Sequence, residues 1–173
     1  MLIGVWSWFS FWLILHIMAV IVAFGPTFAF GLIAAFGQKH PQFGLAAAEI
    51  SDLIEKRMTI PIAVIVPFLG LALIYSAHIN LWGSTWLLIA IPLYIVLFFF
   101  GTLVQSRNSN RMVQLLRSMP PGPPPEGAAP PPELVALGRK LQLGGMFLML
   151  LIVAIVVLMV WRPGNCFTGQ VGC

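Results

Sequence analysis

The sequence predicts an all-α membrane protein, a polytopic helical bundle of four transmembrane helices with both termini outside. Three observations predict it. The 173 residues are 60% hydrophobic and only 8% charged, with a mean hydropathy of +0.97. A soluble domain carries roughly 25% charged residues, so this chain cannot cover itself with a polar surface. Four apolar runs without Asp, Glu, Lys or Arg each exceed or approach the roughly 20 residues a helix needs to cross a bilayer. Eight of the nine basic residues fall in only two of the connections. A soluble globular enzyme and a largely disordered chain are both excluded by these numbers.

The runs cover residues 6–37, 59–79, 85–104 and 143–161 of a single membrane domain, 1–173. They are too long and too uniformly apolar for β-barrel strands, which take about 10 residues of alternating polarity. Helices satisfy every backbone group internally and are the expected solution in lipid. The first run is longer than one crossing requires, so it must tilt, kink or protrude. It lacks a basic leader and begins with Trp6, Trp8 and Trp12, which marks a retained helix rather than a cleavable signal. Gly25-Pro26 is expected to kink it, because proline removes a backbone bond and clashes with the preceding turn.

Orientation follows from charge. Lys39, Lys56 and Arg57 lie in the first connection, and Arg107, Arg111, Arg117, Arg139 and Lys140 in the third. The positive-inside rule places both in the cytoplasm, and the termini outside a bacterial cytoplasmic (inner) membrane. Trp6, Trp8, Trp12, Trp82, Trp86 and Trp161 then all fall at the outer interface, where amphipathic rings settle. Cys166 and Cys173 sit in the outer tail, 162–173, a compartment that permits a disulfide; two free thiols are the alternative.

Between the first two runs, residues 42–58 read as a helix. Leu45, Ile50, Leu53, Ile54 and Met58 form an apolar stripe, and Glu49, Asp52 and Lys56 a polar face. That face is either solvated or a docking site. Residues 110–119 read as a basic amphipathic stub against anionic headgroups. Residues 120–132, PPGPPPEGAAPPP, favour polyproline II, either as a semi-rigid spacer or as a ligand for an aromatic-lined groove. A further helix starts near Glu133 and runs into the fourth span, which is almost purely aliphatic after Gly144 and Gly145. That helix faces lipid or a partner. The few basic residues are explained by topology, which leaves no case for nucleic-acid binding.

Ionisable groups inside spans are the best functional pointers in such a protein. Two exist here, His16 and His78, both expected in the outer half of the bilayer. They are candidate axial ligands for a haem b, or for copper or zinc. The alternatives are a histidine bonded to a neighbouring carbonyl for His16, and headgroup water for His78. His40 reads as a surface residue. No phosphate loop, Cys/His cluster or Ser/His/Asp set stands out, and no span holds a carboxylate for ion coupling.

The stretches Leu15-His16-Ile17 and Ala23-Phe24-Gly25-Pro26-Thr27-Phe28-Ala29-Phe30 resemble a bacterial family of small four-helix integral membrane proteins of unknown function. Residues 48–61, with Glu49, Glu55, Arg57 and Pro61, carry the same likeness, which covers about the first 105 residues. The Leu-His pair is more distantly similar to CopD-like copper-resistance proteins and HemJ-type protoporphyrinogen oxidases. That likeness implies a haem-serving role for His16. The chain departs from the second pattern in having no intramembrane lysine in a later span.

The expected function is therefore that of a membrane protein without a catalytic site, an accessory or structural subunit of a larger membrane assembly. A haem-binding redox protein using His16 and His78, and a small-molecule or metal permease built around the first helix, are the alternatives.

Overall fold

In hydrocarbon an open backbone N–H or C=O has no water to turn to, so the chain closes its hydrogen bonds within helices. A computed structural model describes residues 8–120 and 130–163. Its helices are α1 (Trp8–Lys39), α2 (Gly44–Ile54), α3 (Ile60–Ser76), α4 (Thr85–Phe99), α5 (Ser106–Arg117) and α6 (Pro132–Trp161). A single π-helical turn, Glu55–Thr59, joins α2 to α3, and another, Phe100–Gln105, joins α4 to α5. The result is four unbroken rods of 32, 36, 33 and 30 residues, and no strand among the described residues. Each is long and apolar enough to span a membrane.

Only 11–17% of each rod's most apolar stretch is buried inside the bundle. Helices apolar on all sides need an apolar solvent, and here the surplus faces outward. The core takes Ala23 and Phe24 from α1, Ala63 and Val66 from α3, Leu97 from α4, and Leu148 and Ile152 from α6. Small residues let rods approach closely. Gly37 on α1 is the clearest case: a Cβ there would lie 3.1 Å from Ala47 Cβ and 3.4 Å from Gly44 Cα.

Proline shapes α3 without breaking it. Pro67 has no N–H, so the carbonyl of Ala63, four residues earlier, loses its usual partner. The Tyr94 hydroxyl of α4 donates to that carbonyl. Pro26 likewise sits within an uninterrupted α1.

At the end opposite the charges, the second rod stops at Ser76, three residues before the expected limit. Ile79 N–H bonds Ile74 O at 3.0 Å and His78 N–H bonds Tyr75 O at 3.2 Å. These are the paired bonds of a Schellman motif, whose left-handed position is filled here by His78 at φ 49°. Asn80 Oδ1 then accepts from the N–H groups of Trp82 and Gly83, closing the turn into α4. Trp8, Trp82 and Trp161 are exposed at this end, but Trp86 is only 4% exposed. It packs inside with the Arg162 guanidinium 5.5 Å from its ring, because a charge that closes α6 needs a partner there. The helix expected from residue 110 begins earlier, since α5 continues α4 directly. Trp6, most of the proline-rich segment, and Cys166 and Cys173 lie outside the described residues.

Candidate functional site

Charge divides the molecule into two layers. Residues 58–77, 85–106 and 141–161 carry no Asp, Glu, Lys or Arg: 20, 22 and 21 residues. At 1.5 Å per residue these are stretches of about 30–33 Å, the thickness of a hydrocarbon core. Arg57, Arg107 and Lys140 mark one edge of this slab on three rods. Beyond that edge stands a cap made of the end of α1, all of α2, α5, and the start of α6.

The cap is stitched by polar groups. Arg117 bonds Glu49 at 2.8 Å, tying α5 to α2. Arg111 bonds Glu133 at 2.8 Å, tying α5 to α6. Lys56 bonds Asp52 at 2.6 Å and also donates to Asn110 of α5. The Ser109 hydroxyl lies 3.5 Å from the other Asp52 oxygen, and Ser106 donates to the Glu55 carboxylate. At the slab edge Gln105 donates from Nε2 to Leu141 O at 2.9 Å, while its buried Oε1 has no partner. Gly144 leaves the room that the Gln105 side chain occupies. Glu55 lies outside the spanning stretch of its rod, one turn from its edge. Burial pushes its carboxyl up to about 7, with the Asp52 charge adding to the rise and Lys56 and Ser106 opposing it.

The other side of the same cap is apolar. The last turns of α1 and the first of α2 enclose a groove of about 530 Å³ lined by Leu32, Ile33, Phe36, Phe43, Ala47 and Ile50. Leu32 on α1 is 75% exposed, and Leu53 on α2, one turn beyond Ile50, is 58% exposed. The rings of Phe36, His40 and Phe43 cluster at its far end, with Phe36 and His40 centroids 4.7 Å apart. The antiparallel register that brings Gly37 against Ala47 puts this face level with the charged residues of α2. It therefore lies beyond the charge-free stretch of the second rod. Lys39 and Arg57 make no ion pair among the described residues.

The two membrane histidines are held apart. The His16 ring lies against α3 beside Gly70, 3.6 Å from a Cβ built there, with the Val66 backbone alongside. Its buried Nδ1 makes no hydrogen bond of ordinary geometry. His78 is exposed in the cap of α3, eight residues further on. Eight residues are about 12 Å of helix, so the pair does not fit ligation of one iron from both faces. Among the described residues no three His, Cys, Asp or Glu side chains gather as a metal set. Beside Gly25, at the expected kink, the structure has a shallow groove of about 340 Å³ between α1 and α6, walled by Val20, Phe24, Phe28, Ile152 and Val156. Its lining is wholly apolar, with no group to coordinate a polar permeant.

A family model described as predicted integral membrane protein (DUF2269) matches residues 11–163. The chain belongs to this family. The match spans all four rods, and so extends past the 105 residues whose motifs carried the likeness in sequence. No curated protein and no solved structure matches the chain. The similarity to CopD-like and HemJ-type proteins has no counterpart in these comparisons.

Several residues that matter in this DUF2269 chain were not singled out in sequence. Tyr94 is the one hydroxyl-bearing ring within the third run, and Pro67 announces a free carbonyl nearby, so their pairing had a signal. Gln105 had a weaker one, a long polar side chain at a span edge, facing the Gly144 already noted at the start of the next span. The π-helical turns had none.

Proposed function

We propose that this membrane protein is an accessory subunit of a larger membrane assembly in the bacterial cytoplasmic membrane, with the charged cap in the cytoplasm and both termini outside. One observation carries the reading: the apolar shoulder from Leu32 to Leu53 stands beyond the charge-free slab. Apolar surface of that kind outside lipid marks an interaction site. The shoulder runs along the rods, so it faces sideways, and a headgroup layer adding about 5–8 Å per leaflet covers only its upper part. A neighbouring subunit that crosses the membrane beside α1 and α2 covers it entirely.

The test is photo-crosslinking from the shoulder. A crosslinking residue at Phe36 or Leu53 is expected to capture one discrete membrane polypeptide in intact cells. The same residue at Leu150, on the outward face of α6 within the slab, is expected to label lipid. Absence of any protein adduct from Phe36 and Leu53, with the chain migrating alone after mild solubilisation, overturns the proposal. A tag on the tail that is accessible only from the cytoplasm overturns the orientation.

A further inference from the structure

We propose that Glu55 is a proton-operated latch between the two helical hairpins, closed while its carboxyl carries a proton and loosened when it ionises. One hairpin is α1 with α2–α3, the other α4–α5 with α6. At the slab edge, the seam between the second and third rods is the set Asp52, Glu55, Lys56, Ser106, Ser109 and Asn110.

The seam contains one ammonium and two carboxylates. Lys56 bridges the rods, holding Asp52 on its own rod and Asn110 on α5. With Glu55 neutral, Asp52 is the single anion beside it and the bridge is complete. With Glu55 ionised, two carboxylates three residues apart on one helix compete for that ammonium. Drawing Lys56 between them pulls it from Asn110, the one contact across the seam made by an ammonium at the slab edge, and leaves the Ser106–Glu55 and Ser109–Asp52 bonds to hold it there.

Among the described residues no cation other than Lys56 pairs with Asp52 or Glu55. On the second rod the next ionisable groups are Glu49, held by Arg117, and Arg57, which is exposed. On α5, Ser106, Ser109 and Asn110 are neutral, Arg107 is exposed, and Arg111 is taken by Glu133. On α1 there is no Asp, Glu, Lys or Arg from Trp8 to Gln38, and its His16 lies toward the opposite end against Gly70. The two π-helical turns abut this seam, one holding Glu55 and the other ending beside Ser106. A π-helical turn holds one residue more than an α-turn, so each rod has slack to slide where the latch sits.

Burial is the first cause of the carboxyl's rise to about 7, and the Asp52 charge is the second. The group therefore changes state within the range a cytoplasm explores. The test uses the full chain in lipid nanodiscs, with spin labels at Leu53 on α2 and Gln114 on α5 and the tail cysteines replaced by serine. The expected result is a longer, broader inter-label distance as pH rises from 5 to 8.5, with a midpoint near 7. Glu55→Gln, which imitates the protonated carboxyl, is expected to stay short at every pH. Asp52→Asn removes the repelling charge and moves the midpoint down. Ser106→Ala removes a hydrogen bond to the carboxylate and moves it up. A distance that ignores pH in the unmodified chain, or a pH response that survives in Glu55→Gln, overturns the latch.

Discussion

The same four rods are held together in two different ways on either side of the edge marked by Arg57, Arg107 and Lys140. Inside the slab, contact is made by small and apolar side chains around Ala23, Ala63 and Ile152, with the Tyr94 bond to Ala63 as a polar link between rods. In the cap, Glu49–Arg117, Arg111–Glu133 and Lys56–Asn110 connect rods through charge. Lipid leaves backbone bonds unchallenged and gives no reward for gathering apolar groups, so close fit must hold the slab. Water permits charged links in the cap but weakens each of them. The difference teaches that packing should matter in both layers, and polar pairing in neither as much as its geometry suggests.

The largest expected effect tests packing within the cap. Gly37→Leu would drive a side chain into Ala47 and the Gly44 backbone, neither of which can rotate away. Overpacking of this kind costs about 1–3 kcal/mol. We expect about 2–3 kcal/mol in detergent-denaturant titration, and loss of shoulder crosslinking because α1 and α2 separate. An unchanged stability would break the comparison, by showing that the cap is held by its charges alone.

Two substitutions of about 1 kcal/mol sharpen it from the slab side. Tyr94→Phe leaves the Ala63 carbonyl without its donor. Hydrogen bonds between membrane helices average about 0.6 kcal/mol, reaching about 1.7. A loss of about 1 kcal/mol is expected, and a loss beyond 2 would mean that a polar link, not fit, secures α3 to α4. His78→Gly works in the opposite direction. His78 sits at φ 49° in a position that glycine takes without strain. Thermal unfolding should shift upward by the equivalent of about 1 kcal/mol. A decrease would mean that the imidazole makes a contact worth more than the strain.

How much of this was legible beforehand follows the same division. The slab announced itself, because a long absence of charge in an apolar run points to lipid, and the structure has four helices long and apolar enough to cross a membrane. The ends of rods were less legible. A histidine where glycine usually closes a helix hides the stop after Ser76. The cap was half legible: the apolar stripe through Ile50 and Leu53 and the polar face through Glu49, Asp52 and Lys56 were readable from helical spacing. What covers each face was not. That the polar face meets α5 rather than water depends on residues 54 to 68 positions away. His16 and His78 were paired by depth alone, and the packing of His16 against Gly70 separates them.

The smallest expected effect isolates charge in the cap. Arg117 reaches Glu49 through two nitrogens at 2.8 Å, which looks like a strong tie. Its side chain is 63% exposed and that of Glu49 40%, so water and salt screen the pair on both sides. Exposed pairs contribute about 0.2–1 kcal/mol. Arg117→Ala should therefore cost under about 0.5 kcal/mol, and the cost should vanish when titrations are repeated in high salt. The Asp52–Lys56–Asn110 bridge, nearer the slab and with Asp52 half-buried, should resist the same salt better. If Arg117→Ala instead costs more than 1 kcal/mol and keeps that cost in salt, the far end of the cap is shielded from water. The polar face of α2 and α5 would then be covered too, and the proposed partner would have to wrap both sides of the cap.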